Sequence, residues 1–141
     1  MYKILVPIDG SEYSKKAMLK AKELATALEA EITLLNVSNP LKDTKYMHNK
    51  QYFQEIRRNS VWESEGLLDE AMESFKDFTG KVSAVHKMGD VVEEIVKFAE
   101  NEGYNLVVMG SRGAGVFSRT LLGSVSDSVI HHIKTSVLIV K

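Results

Sequence analysis

Five short apolar runs, separated by segments of helical period, restrict what this chain folds into more than any other feature of it. Lys3-Ile4-Leu5-Val6-Pro7-Ile8 comes first and Glu31-Ile32-Thr33-Leu34-Leu35-Asn36-Val37 second. The weaker Val82-Ser83-Ala84-Val85-His86 is third, followed by Leu106-Val107-Val108-Met109 and Ser136-Val137-Leu138-Ile139-Val140. Continuous apolar runs of this length, bounded by turn residues, are predicted as strands buried on both faces of a parallel sheet.

Between them the period changes. Ser11 is predicted to cap a first helix, whose inner face carries Ala17, Met18, Ala21, Leu24, Ala25 and Leu28. A second helix is expected from Tyr52 to Phe78, with Phe53, Ile56, Leu67, Leu68, Ala71, Met72, Phe75 and Phe78 as its apolar positions. Gly66 is a candidate interruption, Thr79-Gly80 a stop, and Lys42 to Lys50 a polar, mobile connection. Asp90 caps a third helix, with Glu93 at the capping-box position and Gly103 at its end; Val91, Val92, Ile95, Val96 and Ala99 face inward. Gly123-Ser124 starts a fourth, with Val125, Val129, Ile130 and Ile133 at helical spacing.

Strands alternating with helices imply one α/β domain over residues 1–141. The expected architecture is a doubly wound five-stranded parallel sheet with helices on both faces, joined by right-handed crossovers. An apolar content of 44% supports a core in a chain of 141 residues without metals or disulfides. The lack of cysteine excludes thiolate catalysis and cysteine zinc sites. A net charge of −1 leaves no broad footprint for nucleic acid. No apolar run approaches the ~18 residues of a membrane span, and Met1 to Pro7 runs into a strand without the features of a signal peptide. The expectation is a cytoplasmic protein with no membrane partner.

Open parallel sheets take ligands beyond the carboxyl ends of their strands, where the strand order reverses. Two strands end in loops suited to that: the first in Pro7-Ile8-Asp9-Gly10-Ser11, the fourth in Gly110-Ser111-Arg112-Gly113. In a 3-2-1-4-5 order these strands are neighbours and the loops face one crevice. Glycines 110, 113, 115 and 123 permit positive φ and close approach of a ligand. The helix starting at Gly123-Ser124-Val125-Ser126 offers free N–H groups and a positive dipole end to an anion. Ser124 and Ser126 add hydroxyl donors, and Arg112 adds charge. The stretch is neither a Walker A loop nor a G-x-G-x-x-G fingerprint. By spacing alone, a phosphate cradle and a structural glycine loop with a serine-capped helix are equally open.

The spacing Gly110-x2-Gly113-x9-Gly123-Ser124 resembles the ATP-binding signature of the universal stress protein family. Lys3 to Ser11 is similar to that family's first strand and loop, and Gly89-Asp90 and Leu121-Leu122-Gly123-Ser124-Val125-Ser126 match it too. The resemblance implies a 3-2-1-4-5 sheet of the adenine nucleotide alpha hydrolase-like kind and a homodimer. It also implies ATP, with AMP or ADP as weaker ligands, and Mg2+ or Mn2+ held mainly by the phosphates. Carried over by position, Asp9 sits at the adenosine end, beside Ile8, and Val37 offers backbone groups to the adenine edge. Pro7 and Met109 form apolar walls. Gly110, Arg112, Gly113, Gly123, Ser124, Val125 and Ser126 surround ribose and phosphates. One departure is Thr135-Ser136, where the family usually enters its last strand through a proline.

Each residue has a plainer reading: Asp9 as a helix cap, Pro7, Val37 and Met109 as core, Arg112 and Arg119 as surface arginines. His131 and His132 are adjacent and point about 100° apart on a helix, so they share a metal poorly. His48 falls in the polar segment and His86 in a strand beside Lys87, so metal binding by histidine is not expected. The basic residues from Lys50 to Arg58 read as a solvated helix face, and Trp62 as a packing or partner contact. The function expected is a nucleotide-dependent regulatory switch of the stress-response type with slow or no hydrolysis, because no residue is placed as a general base. Two alternatives are weaker. A phosphorylation-dependent receiver needs an acidic pair after its first strand and an Asp ending its third, where His86-Lys87-Met88 stands. A nucleotidyl-transferring enzyme needs its own signature after the first strand, which Asp9-Gly10-Ser11 does not supply. An apolar edge at Val137 to Val140 points to a homodimer built on the last strand.

Overall fold

The computed structural model describes residues 1–40, 50–113 and 122–141. In chain order it runs β1 (Lys3–Pro7), α1 (Glu12–Leu28), β2 (Glu31–Ser38), α2 (Lys50–Glu73), β3 (Val82–Met88), α3 (Val91–Asn101), β4 (Leu106–Gly110), α4 (Ser124–His132) and β5 (Ser136–Val140). The five strands form one sheet in the order β3-β2-β1-β4-β5, with every pairing parallel. β5 starts at Ser136 without the proline.

Alternation along the strands divides the core in two. Ile4, Val6, Ile32, Leu34 and Val108 meet Ala17, Ala21 and Ala25 of α1 and Leu68 and Ala71 of α2. Leu5, Leu35, Val107 and Met109 meet Ile95 and Ala99 of α3 and Val129 of α4. Each β1 residue thus serves one layer, as the period-2 pleat requires. The alanines of α1 repeat every four residues and are essentially inaccessible, which lets the helix axis lie close to the sheet. Met18 and Leu24 pack at the flank of this layer, while Leu28, expected inside, is 49% exposed at the helix end.

Four further expectations change. Gly66 does not interrupt α2; the helix continues to Glu73, and a Cβ there would meet nothing within 4 Å. The expected continuation to Phe78 is replaced by tight turns, in which the N–H groups of Ser74, Phe75 and Lys76 bond carbonyls three residues back. On α4 the buried stripe is Ser126 and Val129, so Val125 and Ile130, read as inward, are 37% and 38% exposed. Trp62 does not pack: it is 77% exposed. The Lys42 to Lys50 connection lies, save Lys50, outside the described residues, as do His48, Gly115 and Arg119.

The remaining histidines are engaged locally. His86 Nε2 lies 2.6 Å from Ser38 Oγ, and burial holds its pKa below the ordinary imidazole value. His131 and His132 each turn Nδ1 onto a carbonyl four residues back, at 2.7 Å. No helix among the described residues is long and apolar enough to cross a membrane.

Candidate functional site

β1 and β4 are neighbours at the centre of the sheet, and the chain leaves β1 toward β2 on one side while β4 lies on the other. Their carboxyl ends therefore open at the point of reversal. The β1 side is fixed first by β2. Ile8 N donates to Leu35 O at 2.8 Å, and Asn36 Nδ2 donates to Ile8 O at 2.8 Å. Ser64 of α2 donates to Asn36 Oδ1 at 2.7 Å, so the loop is braced from the helix layer as well. The chain then turns at Gly10, whose φ of +83° is one that few side chains accept. Ser11 caps α1, as expected, by accepting from Ser14 N at 3.1 Å, and Asp9 Oδ1 accepts from Ser11 N at 2.9 Å. Asp9 thus orders the turn rather than capping the helix itself.

The β4 side uses different means. Gly110, Gly113 and Gly123 do not adopt positive φ; the glycines are needed there for close approach. A Cβ on Gly110 would fall 2.7 Å from Tyr13 Cβ and 2.8 Å from its carbonyl carbon. One on Gly123 would fall 3.2 Å from Arg112 Cα. Gly123 N donates to Ser111 O at 2.6 Å, and Ser111 N donates to Val140 O at 2.8 Å, which tie the start of α4 to the ends of β4 and β5. The Ser126 hydroxyl, expected as a ligand donor, is 3% exposed and donates instead to Ser111 O and Gly123 O, at 2.8 and 3.1 Å. It clamps the connection from inside.

α4 starts on a glycine rather than on a serine cap: Gly123 is extended and no side chain caps the N–H groups of the first turn. The contrast with α1 and α3 is direct, since Ser11 and Asp90 each take an N–H there, the latter from Glu93 at 2.9 Å. No hydrogen bond among the described residues engages the N–H groups of Ser124, Val125 or Ser126. Those donors, with the positive end of the helix dipole, border a cavity of about 250 Å³.

Every one of the twelve positions singled out in sequence lines that cavity. Pro7, Ile8, Asp9 and Val37 border it on the β1–β2 side; Met109, Gly110, Arg112 and Gly113 on the β4 side; Gly123, Ser124, Val125 and Ser126 at α4. The two loops meet across it, since a Cβ on Gly113 would stand 2.6 Å from Asp9 Oδ2. Val125, out of place for a core residue, is explained by this border. Sequence reasoning missed Ser14, Leu35, Val91 and Ile95 as wall residues. Leu35, Val91 and Ile95 were read as core, a role the wall does not contradict. Ser14 places a buried hydroxyl 3.4 Å from Asp9 N, a contact that its position three residues after the cap does not announce.

The family model described as Universal stress protein family matches residues 1–141. Universal stress protein YxiE of Bacillus subtilis is 32% identical over 146 aligned residues, covering 99% of this chain and 98% of that one. Universal stress protein MJ0577 of Methanocaldococcus jannaschii is 30% identical over 155, covering 100% and 96%. A solved structure of MJ0577 superposes with a TM-score of 0.88 at 31% identity, covering 99% and 95%. The fold is shared by an Arabidopsis thaliana member of the same family solved with AMP bound, at 20% identity and a TM-score of 0.73 over 100% and 92% of the two chains.

Proposed function

The chain belongs to the universal stress protein family, and from that premise we propose that it binds an adenine nucleotide, ATP ahead of ADP and AMP, in the crevice between the loops after β1 and β4. The observation that carries this reading is the uncapped start of α4 on the cavity wall. Three backbone donors at the end of a helix dipole are suited to phosphate oxygens, and glycine lets the phosphate come close to the chain. The apolar wall of Pro7, Val37 and Met109 suits a purine ring, and a backbone edge at Val37 suits its polar rim. The AMP held by the Arabidopsis protein supports the class of ligand. Arg112 is the side chain whose charge would reach the phosphates.

Among the described residues no three His, Asp or Glu side chains gather to hold an ion. A divalent cation, Mg2+ or Mn2+, would therefore come with the nucleotide, its ligands mainly phosphate oxygens, and would neutralise their charge. In this reading the nucleotide acts as a ligand that selects a conformation or partner. A hydrolysis rate in the range of ~1–10³ per second would refute the switch.

Calorimetry tests the site. Gly113→Val puts a side chain between the two loops, and the atom it meets is the movable tip of Asp9 rather than backbone. The fold should persist while ATP affinity drops by at least about tenfold. Equal affinity in the variant would remove the assignment.

The assembly proposed is a homodimer through β5. The two edges of the sheet differ: β3 carries His86 and Lys87, whereas Val137, Leu138, Ile139 and Val140 are all apolar and only half-buried. A bare apolar edge invites uncontrolled pairing, and a second copy across a two-fold axis closes it. Light scattering that gives a monomer at working concentration would sink this part.

A further inference from the structure

A second cavity lies on the other side of the β1 loop, in the groove between α1 and α2. It is of about 300 Å³, so it matches or exceeds the crevice, and Ile8 and Ser14 form part of both walls. Its floor is core: Ile8, Ala71 and Phe75 are 5%, 6% and 3% exposed. Its lips are apolar too, with Met18 and Leu67 half-buried and Leu19 66% exposed. Nothing in the proposed nucleotide function uses this groove.

Two polar ties fix the helices that flank it. At one end Ser64 anchors α2 to Asn36 of β2. At the other, the Lys22 ammonium bridges from α1 to Ser74 O and the Asp77 carboxylate just past α2. The positions of α1 and α2 are set by the core residues beneath them, and close-packed interiors resist shifts of those residues.

The polar atoms of the wall identify the occupant. The Ser74 hydroxyl already donates to Ala71 O at 2.6 Å, Ser14 Oγ faces Asp9 N, and Lys22 is held by its two acceptors. Lys15, also on the lining, is paired with Glu12 at 3.3 Å. The one charge on the lining with no ion pair among the described residues is the Glu70 carboxylate, which repels anions. A polar or ionised ligand would lose its hydration without gaining partners. An apolar one would gain contact with five or six hydrophobic side chains.

We propose that the α1–α2 groove is a binding site for a small, neutral, apolar molecule of about the size of a substituted benzene ring, separate from the crevice. Toluene and benzoate are a suitable pair of probes, since they share a ring and differ in charge. Titrated without nucleotide into the full chain, toluene should shift the backbone amide resonances of Met18, Leu67 and Ala71 and saturate. Benzoate should bind about tenfold more weakly or not at all. Ala71→Phe fills the groove and should abolish the toluene shifts. Leu19→Lys, at an exposed lip, should weaken them with no risk to the core, which keeps the test decisive if the first variant misfolds. Shifts confined to Val37, Met109 and the start of α4, unchanged binding in both variants, or benzoate as tight as toluene would each overturn the proposal. Because no nucleotide is present, failure here is distinct from failure of the crevice assignment.

Discussion

The loop after β1 and the two ends of the β4–α4 connection face each other across one crevice, yet they are held in shape by opposite means. On the β1 side, side chains do it: Asn36 holds Ile8 O, Asp9 takes Ser11 N, and Ser11 takes Ser14 N. On the β4 side, missing side chains do it: Gly110 lies under Tyr13 and Gly123 against Arg112. The difference bears on function. The first loop spends donors at the start of α1 on its own acceptors, whereas the second holds itself by backbone contact and leaves the first turn of α4 unspent. The proposed site accordingly puts the anionic part of the nucleotide on the β4 side and the apolar part along the rest of the wall.

The strongest test of this contrast is Gly110→Val. The nearest obstacles include the backbone of Tyr13, at the start of a helix packed on the sheet by its alanine stripe, and neither can yield cheaply. Overpacking there should cost about 3 kcal/mol, read as a fall in the urea midpoint. Gly113→Val, whose added Cβ meets the Asp9 side chain rather than backbone among the described residues, should cost much less. Equal losses in the two variants would mean that the β4 side is not built on close approach at Gly110.

Next in size is Ser126→Ala. It removes a buried hydroxyl that donates to two carbonyls, Ser111 O and Gly123 O, each of which keeps one other backbone donor: Gly123 N on the first, Asp127 N on the second. The loss should be about 1–2 kcal/mol. ATP affinity should fall with it, since the clamp sets the position of the free N–H groups. Ser11→Ala, on the opposite loop, removes a helix cap and should cost about 1 kcal/mol. Ser11 is not part of the crevice wall, so ATP affinity should stay within a factor of about two. A larger drop for Ser11→Ala than for Ser126→Ala would reverse the assignment of the two sides.

How the sequence conveyed these two sides also differs. The strands, their order through the resemblance, and the caps at Ser11 and Asp90 were legible because each rests on local period or a local side-chain acceptor. The loop positions on the wall were legible from the switch point and the glycine spacing, whereas Val37 and Met109 came only through the resemblance. What each glycine does was not legible. Positive φ and close approach leave the same letter in the sequence, and the partner of Gly110 is Tyr13, 97 residues away. The role of Ser126 was misread for a related reason: a hydroxyl at a helix start points to a ligand or inward according to how the helix is rotated. That rotation depends on Ser126 and Val129 packing against the sheet. The brace through Asn36 joins three elements, and no spacing in the chain announces it.

The smallest effect, of opposite sign, comes from a glycine with no neighbour. Gly66 lies inside α2 on its exposed side, does not adopt positive φ, and would give a Cβ nothing to touch within 4 Å. Glycine in a helix interior loses backbone entropy that alanine does not, by roughly 0.5–1 kcal/mol. Gly66→Ala should therefore stabilise the protein by up to that amount, seen as a small rise in the urea midpoint with an unchanged slope. Set beside Gly110→Val, it separates what glycine costs the chain from what close approach requires of it. If Gly66→Ala destabilised the protein, something must approach α2 closely at that point. The exposed Trp62, one helical turn earlier, would then mark the surface where a partner packs against it.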